Sequence, residues 1–222
     1  MLSKQIVHFY KTISSPADLP TGVSVLFPQK EKPVMAIVQQ FFEKYYSDNN
    51  KRTCVFGINP GRFGAGVTGI NFTAPRQLKE NCGLEHPFKM QSELSAEFIY
   101  EMIEQYGGPE KFYAGFLVSA ISPLGFVRNG INLNYYDDKK LQESVTPFII
   151  DCINRQLQWN INRQECFCIG GDKNYQYFSA LNETYRWFGK ITALPHPRFI
   201  MQYRRKTKKI YLLQYLDAFS KL

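Results

Sequence analysis

Apolar residues recur along the chain at two spacings, and the two spacings alternate. At helical spacing they mark Leu2 to Ile13 and, after Pro33, Val34 to Tyr46, where Ile37, Val38, Phe41 and Phe42 fall on one stripe. The same period returns over Leu94 to Tyr106, over Leu141 to Trp159 with an interruption at Pro147, and over Asn174 to Leu181. Between these segments lie short continuous runs rich in β-branched and aromatic residues: Thr53 to Ile58, Phe116 to Ile121, Cys166 to Ile169 and, more weakly, Ile191 to Leu194. Runs of that kind suit parallel strands buried on both faces. Their alternation with helices predicts an α/β fold, a three-layer αβα sandwich around a central, mostly parallel four-stranded sheet. Ligands in such a fold sit beyond the carboxyl ends of the strands. The stretch Ser14 to Pro33 carries four prolines and few periodic positions, so it is expected to be a surface loop. Near the end of the chain Ile210, Leu213 and Leu216 read as the buried stripe of a last helix. Without an internal repeat or a low-complexity segment, residues 1–222 are expected to form one domain.

Composition adds a direction to this frame. With 44% hydrophobic and 15% aromatic residues the chain can bury a core, and a net charge of +8 favours polyanionic partners. A surplus of lysine that only maintains solubility fits the charge equally well. The five cysteines (Cys54, Cys82, Cys152, Cys166 and Cys168) include no C-x2-C pair, so no metal site is expected. Several lie inside apolar runs, where free thiols behave as small hydrophobes in a reducing compartment. No stretch of 18 apolar residues occurs, and the first residues lack the apolar core of a signal peptide. A cytoplasmic protein without membrane contact is the expectation.

The first strand runs into a glycine-rich loop, Gly57 to Phe72, reading GINPGRFGAGVTGINF. Gly64, Gly66 and Gly69 spell G-x-G-x-x-G, but a dinucleotide site needs those glycines to join a strand directly to a helix. Here the strand ends near Ile58, so that reading is disfavoured and no cofactor is expected. The loop does offer backbone amides and close approach to a flat ligand. Asn59 can donate and accept hydrogen bonds at once, which suits holding an attacking water, and Phe72 can stack on a planar ring. Each also has an ordinary reading: Asn before Pro starts turns, and Phe is usually core.

This loop resembles the first motif of the single-strand-selective monofunctional uracil-DNA glycosylases, G-M-N-P-G-x-F-G-M-x-x-T-G-x-x-F, with the same spacing throughout. The late family motif H-P-S-P-R is matched by His196, Pro197 and Arg198 in LPHPRF, without the Ser-Pro pair. The likeness runs from Cys54 to Tyr203 and lies with a bacterial branch of that family, within the uracil-DNA glycosylase superfamily. It implies a uracil-DNA glycosylase-like fold and a monofunctional enzyme that hydrolyses the N-glycosidic bond of uracil, and of other deaminated bases, in DNA. Asn59 would position the nucleophilic water, Phe72 would stack on the extruded base, and His196 would donate to uracil O2. Gly57, Gly61, Phe63 and Ala65 would line the pocket. Chemistry agrees, because a donor aimed at the carbonyl beside the broken bond stabilises the departing base anion. The middle motif departs from the family: V-H-N-L-C-P-L becomes V-S-A-I-S-P-L, so Ala120 replaces the Asn that reads the base edge. The flanking hydroxyls of Ser119 and Ser122 are the substitutes on offer.

After His196 come Arg198, Arg204, Arg205, Lys206 and Lys208 with no acidic residue before Asp217, a cluster placed to neutralise DNA phosphates. Phe199, Ile200, Met201, Gln202 and Tyr203 are candidates for the side chain that fills the gap left by an extruded base. His8 and His86 have no motif around them and read as structural or surface residues. The expectation is a monomer acting on DNA without metal or cofactor and leaving an intact abasic site. The competing reading, motivated by Ala120, is a catalytically silent reader of single-stranded or damaged DNA.

Overall fold

The computed structural model describes residues 1–221. Its helices are α1 (Leu2–Thr12), α2 (Lys32–Tyr46), α3 (Ala65–Thr68), α4 (Pro75–Glu80), α5 (Leu94–Tyr106), α6 (Pro109–Gly115), α7 (Lys139–Gln156), α8 (Gly171–Tyr185), α9 (Pro197–Tyr203) and α10 (Lys208–Ser220). Its strands are β1 (Val23–Leu26), β2 (Thr53–Gly57), β3 (Phe116–Ala120), β4 (Gly125–Arg128), β5 (Ile131–Leu133), β6 (Glu165–Ile169) and β7 (Lys190–Leu194).

The four apolar runs form one sheet of order β3-β2-β6-β7, parallel throughout. Every residue of β2 is buried, which explains why its sequence is continuously apolar instead of alternating. Register pairs Val55 with Phe167 and Phe56 with Cys168, so Phe167 and Phe56 point to opposite faces. On one face the Phe167 ring meets Phe219 of α10 with centroids 4.7 Å apart. On the other, Phe56 meets Phe178 of α8 at 5.3 Å. Edge-on aromatic pairs of this kind add to the roughly 1.5–3 kcal/mol that burying each ring contributes. Both faces of the sheet are therefore covered by helices, the three-layer arrangement that the alternation of runs predicts.

Four expectations need correction. The proline-rich stretch is not all loop: Val23–Leu26 pairs antiparallel with β4, and β4 with β5, giving a second, three-stranded sheet. The alternation in Val-Ser-Val-Leu is obscured by the surrounding prolines. The long helix α7 passes through Pro147 without breaking; Pro147 and Glu143 are both exposed, so water can satisfy the carbonyl that loses its partner. A single helical turn, α3, sits inside the glycine-rich loop and is closed by Gly69 in the left-handed region. In α10 the buried stripe is Leu212, Tyr215 and Phe219, while Ile210 and Leu213 are exposed. No helix of the described residues is long and apolar enough to cross a membrane.

Candidate active site

The carboxyl ends of all four parallel strands open into one cavity of about 510 Å³. Gly57 ends β2, Ala120 ends β3, Gly170 follows β6, and His196 follows β7 by two residues; all four line the cavity. The glycine-rich loop supplies Asn59, Gly61, Phe63, Ala65 and Phe72, and α9 supplies Arg198, Phe199, Gln202 and Tyr203.

Phe72 sits at φ 54°, a left-handed conformation that a bulky side chain adopts only under constraint. The constraint is a set of threonine hydrogen bonds. Thr68 Oγ1 donates to the Thr73 carbonyl at 2.6 Å and accepts from the Ile70 amide at 3.2 Å, and Thr73 Oγ1 shares a 3.0 Å hydrogen bond with the buried Tyr100 hydroxyl. The ring thus held lies directly on Gly57: a Cβ there would come within 2.8 Å of it. Only glycine lets ring and strand approach so closely.

Asn59 is locked by its surroundings. Its Nδ2 donates to the carbonyls of Leu133 at 3.1 Å and Pro60 at 3.3 Å, and its Oδ1 accepts the Tyr135 amide at 3.1 Å. Both amide hydrogens are spent, so what remains toward the cavity is one acceptor position on Oδ1. The partner segment is itself anchored, because the buried Tyr135 hydroxyl donates to Asn174 Oδ1 at 2.6 Å and Asn174 Nδ2 donates to the Ile169 carbonyl at 3.1 Å.

His196 caps the N-terminus of α9. Its Nδ1 accepts the Arg198 amide at 3.1 Å, which assigns the proton of the neutral ring to Nε2. Desolvation, reinforced by the nearby Arg198 charge, pushes its pKa down to about 4. The ring is therefore neutral near pH 7, a fixed N–H donor 6.0 Å from Phe72 between centroids. Behind it, the Tyr215 hydroxyl donates to the Pro195 carbonyl and ties this turn to α10.

Other predicted residues fall elsewhere. Ser119 does not face the cavity: its buried hydroxyl donates to Gln156 Oε1 at 2.7 Å, on the far side of the strand from its neighbour Ala120. Ser122 is also buried and donates to the Leu124 carbonyl at 2.7 Å. The expectation that a hydroxyl replaces the missing amide is corrected: strand alternation sends Ser119 to the face opposite Ala120, and Ser122, beyond the end of the strand, spends its hydroxyl on the Leu124 carbonyl. Lys208 pairs with Glu101 of α5, so its charge is already balanced within the chain. Arg204, Arg205 and Lys206 are exposed outside the cavity, with the Arg204 guanidinium 5.3 Å above the Phe199 ring.

One wall of the cavity carries none of the residues expected from the sequence. Asn132, Asn134 and Tyr136 line the cavity from β5 and the turn after it, and Glu93 lines it from the start of α5. Asn132 Oδ1 accepts the Arg62 amide at 3.2 Å, and the Glu93 carboxylate caps α5 at the Ala96 amide, 3.0 Å away. The pair Asn129-Gly130 was the available signal for the hairpin behind this wall, since it fits a tight antiparallel turn. No group of three or more His, Cys, Asp or Glu able to hold a metal occurs among the described residues.

The fold and site define a uracil-DNA glycosylase-like α/β enzyme. The structure of wild-type SMUG2 from Pedobacter heparinus matches with a TM-score of 0.95 and 42% sequence identity, over 99% of this chain and 97% of that one. The profile of the Uracil DNA glycosylase superfamily matches residues 43–220, and the chain belongs to that family. It is a monofunctional DNA glycosylase, a hydrolase of base excision repair acting on DNA. No curated protein matches the chain.

Proposed function

We propose that this chain releases uracil from DNA by stacking the turned-out base on the Phe72 ring, with Asn59 and His196 serving the two halves of the reaction. The observation that carries the reading is the complementary locking of these two side chains on one cavity: Asn59 keeps only an acceptor free, and His196 keeps only a donor. A water donating to Asn59 Oδ1 has its oxygen lone pair directed at C1′ of the sugar. As the C1′–O bond forms, the C1′–N1 bond breaks and its electron pair passes to the base, spread over N1 and O2. His196 Nε2–H donates to O2 and stabilises that charge without transferring its proton, because its conjugate anion is far too basic to form. The proton lost by the water goes to solvent or to the released base.

Ala120 lies on the cavity wall with no amide to read the Watson–Crick edge, and neither Ser119 nor Ser122 replaces it. Base choice then rests on stacking, on loop amides and on His196, all of which accept other deaminated rings, xanthine included.

Incubation with a uracil-containing oligonucleotide in chelator, followed by alkali, tests the proposal. The expected result is release of free uracil, with a strand that stays intact until alkali is added and is then cut at the abasic site. Retention of DNA without release from uracil, hypoxanthine or xanthine substrates at high enzyme concentration would overturn it in favour of a silent DNA reader.

A further inference from the structure

Among the described residues no large apolar side chain is more exposed than Tyr203 and Ile131, at 67% each. Isolated exposed apolar residues are ordinary, so position decides what these two mean. Tyr203 lines the cavity mouth from α9, while Ile131 immediately precedes Asn132, which lines it from β5. Ile131 thus stands at the tip of a hairpin on a separate wall.

That tip is stiff. Asn129 at φ 50° and Gly130 at φ 73° give the tight turn whose twist matches its strands. Arg128, the strand partner of Ile131 across the turn, forms a 2.9 Å ion pair with Asp138. The Arg62 amide bonds Asn132 from the glycine-rich loop, and the Arg62 guanidinium stands 5.0 Å over the Phe63 ring with one nitrogen beside Gly130. Phe63 is itself 52% exposed and lines the cavity. The result is a braced projection with an aliphatic tip and a cation behind it.

We infer, on the reading that the cavity receives a base turned out of DNA, that Ile131 is a second wedge. Of the α9 candidates Ile200 and Met201 are buried and Tyr203 is the most exposed aromatic, so Tyr203 is taken as the first wedge, and Ile131 enters the base step on the other side of the extruded nucleotide, with Arg62 facing the adjoining phosphate. Turning one nucleotide out leaves two unstacked faces in the duplex, and an apolar side chain excludes water from such a gap. A rigid tip makes that contact without a further ordering cost.

Duplexes carrying an uncleavable 2′-fluoro-deoxyuridine target, with 2-aminopurine on its 5′ or its 3′ side, test this. The fluorescence of 2-aminopurine rises when its stacking is lost. The wild-type chain should raise the signal on both sides. Ile131→Ser should lower it on one side and Tyr203→Ala on the other, each weakening duplex binding about tenfold. Because Ile131 lies outside the core, Ile131→Ser should retain the fold, and a wild-type thermal unfolding midpoint is the check. The inference is overturned if Ile131→Ser leaves both signals and the affinity at the wild-type level, or if both variants dim the same side. Uracil release from a single-stranded oligonucleotide by the wild-type chain is the separate control: its absence would overturn the active-site reading itself.

Discussion

At the floor of the cavity each functional side chain is tied to backbone: Asn59 to three main-chain groups, His196 to the Arg198 amide, Phe72 to the surface of Gly57. At the rim, Phe199 and Tyr203 touch one another at 5.8 Å between centroids, Arg204 lies over Phe199, and Arg205 and Lys206 extend into solvent. The floor side chains are held by hydrogen bonds and close contacts, and the α9 side chains of the rim are exposed to solvent. Bond cleavage needs charges placed before the reaction begins, so disorder there costs rate. Gripping a polyanion of any sequence needs cations and apolar faces that adapt, so disorder costs little. Changes at the floor should therefore appear in the chemical step, and changes at the rim in binding and its salt dependence.

The severest test of this division is Asn59→Ala. Single-turnover release of uracil should fall about 10²-fold or more while duplex binding stays near the wild-type value. A rate within about threefold of wild type would remove Asn59 from the chemistry.

His196→Ala should cost nearly as much, and most for bases that leave poorly. Its pH dependence carries a sign. With a folded pKa of about 4 against 6.5 for the free side chain, the native ring binds fewer protons than the unfolded one between those values. Its contribution to stability is thus complete above pH 6.5 and is lost as pH falls toward 4. The ring stays neutral across roughly pH 6 to 8, so uracil release should not vary with titration of this group there and should fall on approach to pH 4. A rate that tracks a group titrating near 6.5 would show that the ring is solvated and not held as described.

Gly57→Ala tests whether the floor depends on close approach. The added methyl would displace the Phe72 ring, and release should slow about tenfold or more through misplacement of the base. Unchanged release from this variant would mean that Phe72 does not set the position of the base. Ala120→Asn works in the opposite sense, adding a reader to the floor. The ratio of uracil to xanthine release should rise by about 1 to 3 kcal/mol, or roughly 5- to 150-fold. If the parent already excludes xanthine and the variant only loses activity, edge reading resides elsewhere.

The smallest effect on the chemical step belongs to the rim. Replacing Arg204, Arg205 and Lys206 by Ala should weaken binding to all sequences and make its salt dependence shallower, by about 0.9 in slope for each phosphate no longer neutralised. Lys208→Ala should leave that slope alone and instead lower thermal stability modestly, because its partner is Glu101. Titrations at several salt concentrations separate the two cases.

Much of the floor was legible because it is local. A buried parallel strand must be continuously apolar, so β2, β3 and β6 announce themselves, and a loop that brings backbone against a flat ring must be rich in glycine. Gly57 to Phe72 therefore carries Asn59 and Phe72 at fixed spacing, and the turn after β7 carries His196. The wall from β5 was less legible, since strands of three and four residues give weak periodicity and β1 lies among prolines.

The alternation of the long helices with four strands, the parallel sheet, the motif residues and the end of the sheet where they gather can be read from the chain alone. They follow from the period of side chains along one segment and from the chirality of crossovers. Which way individual side chains turn is a matter of packing. The last helix is apolar on more than one face, and only its neighbours selected Leu212, Tyr215 and Phe219 over Ile210 and Leu213. Ser119 and Ala120 are adjacent, yet one bonds Gln156 of α7 and the other faces the cavity. Lys208 belongs by sequence to a basic cluster and by contact to Glu101, 107 residues away. In each case the deciding partner is remote in the chain, and its distance and direction exist only once the sheet and its helices are packed.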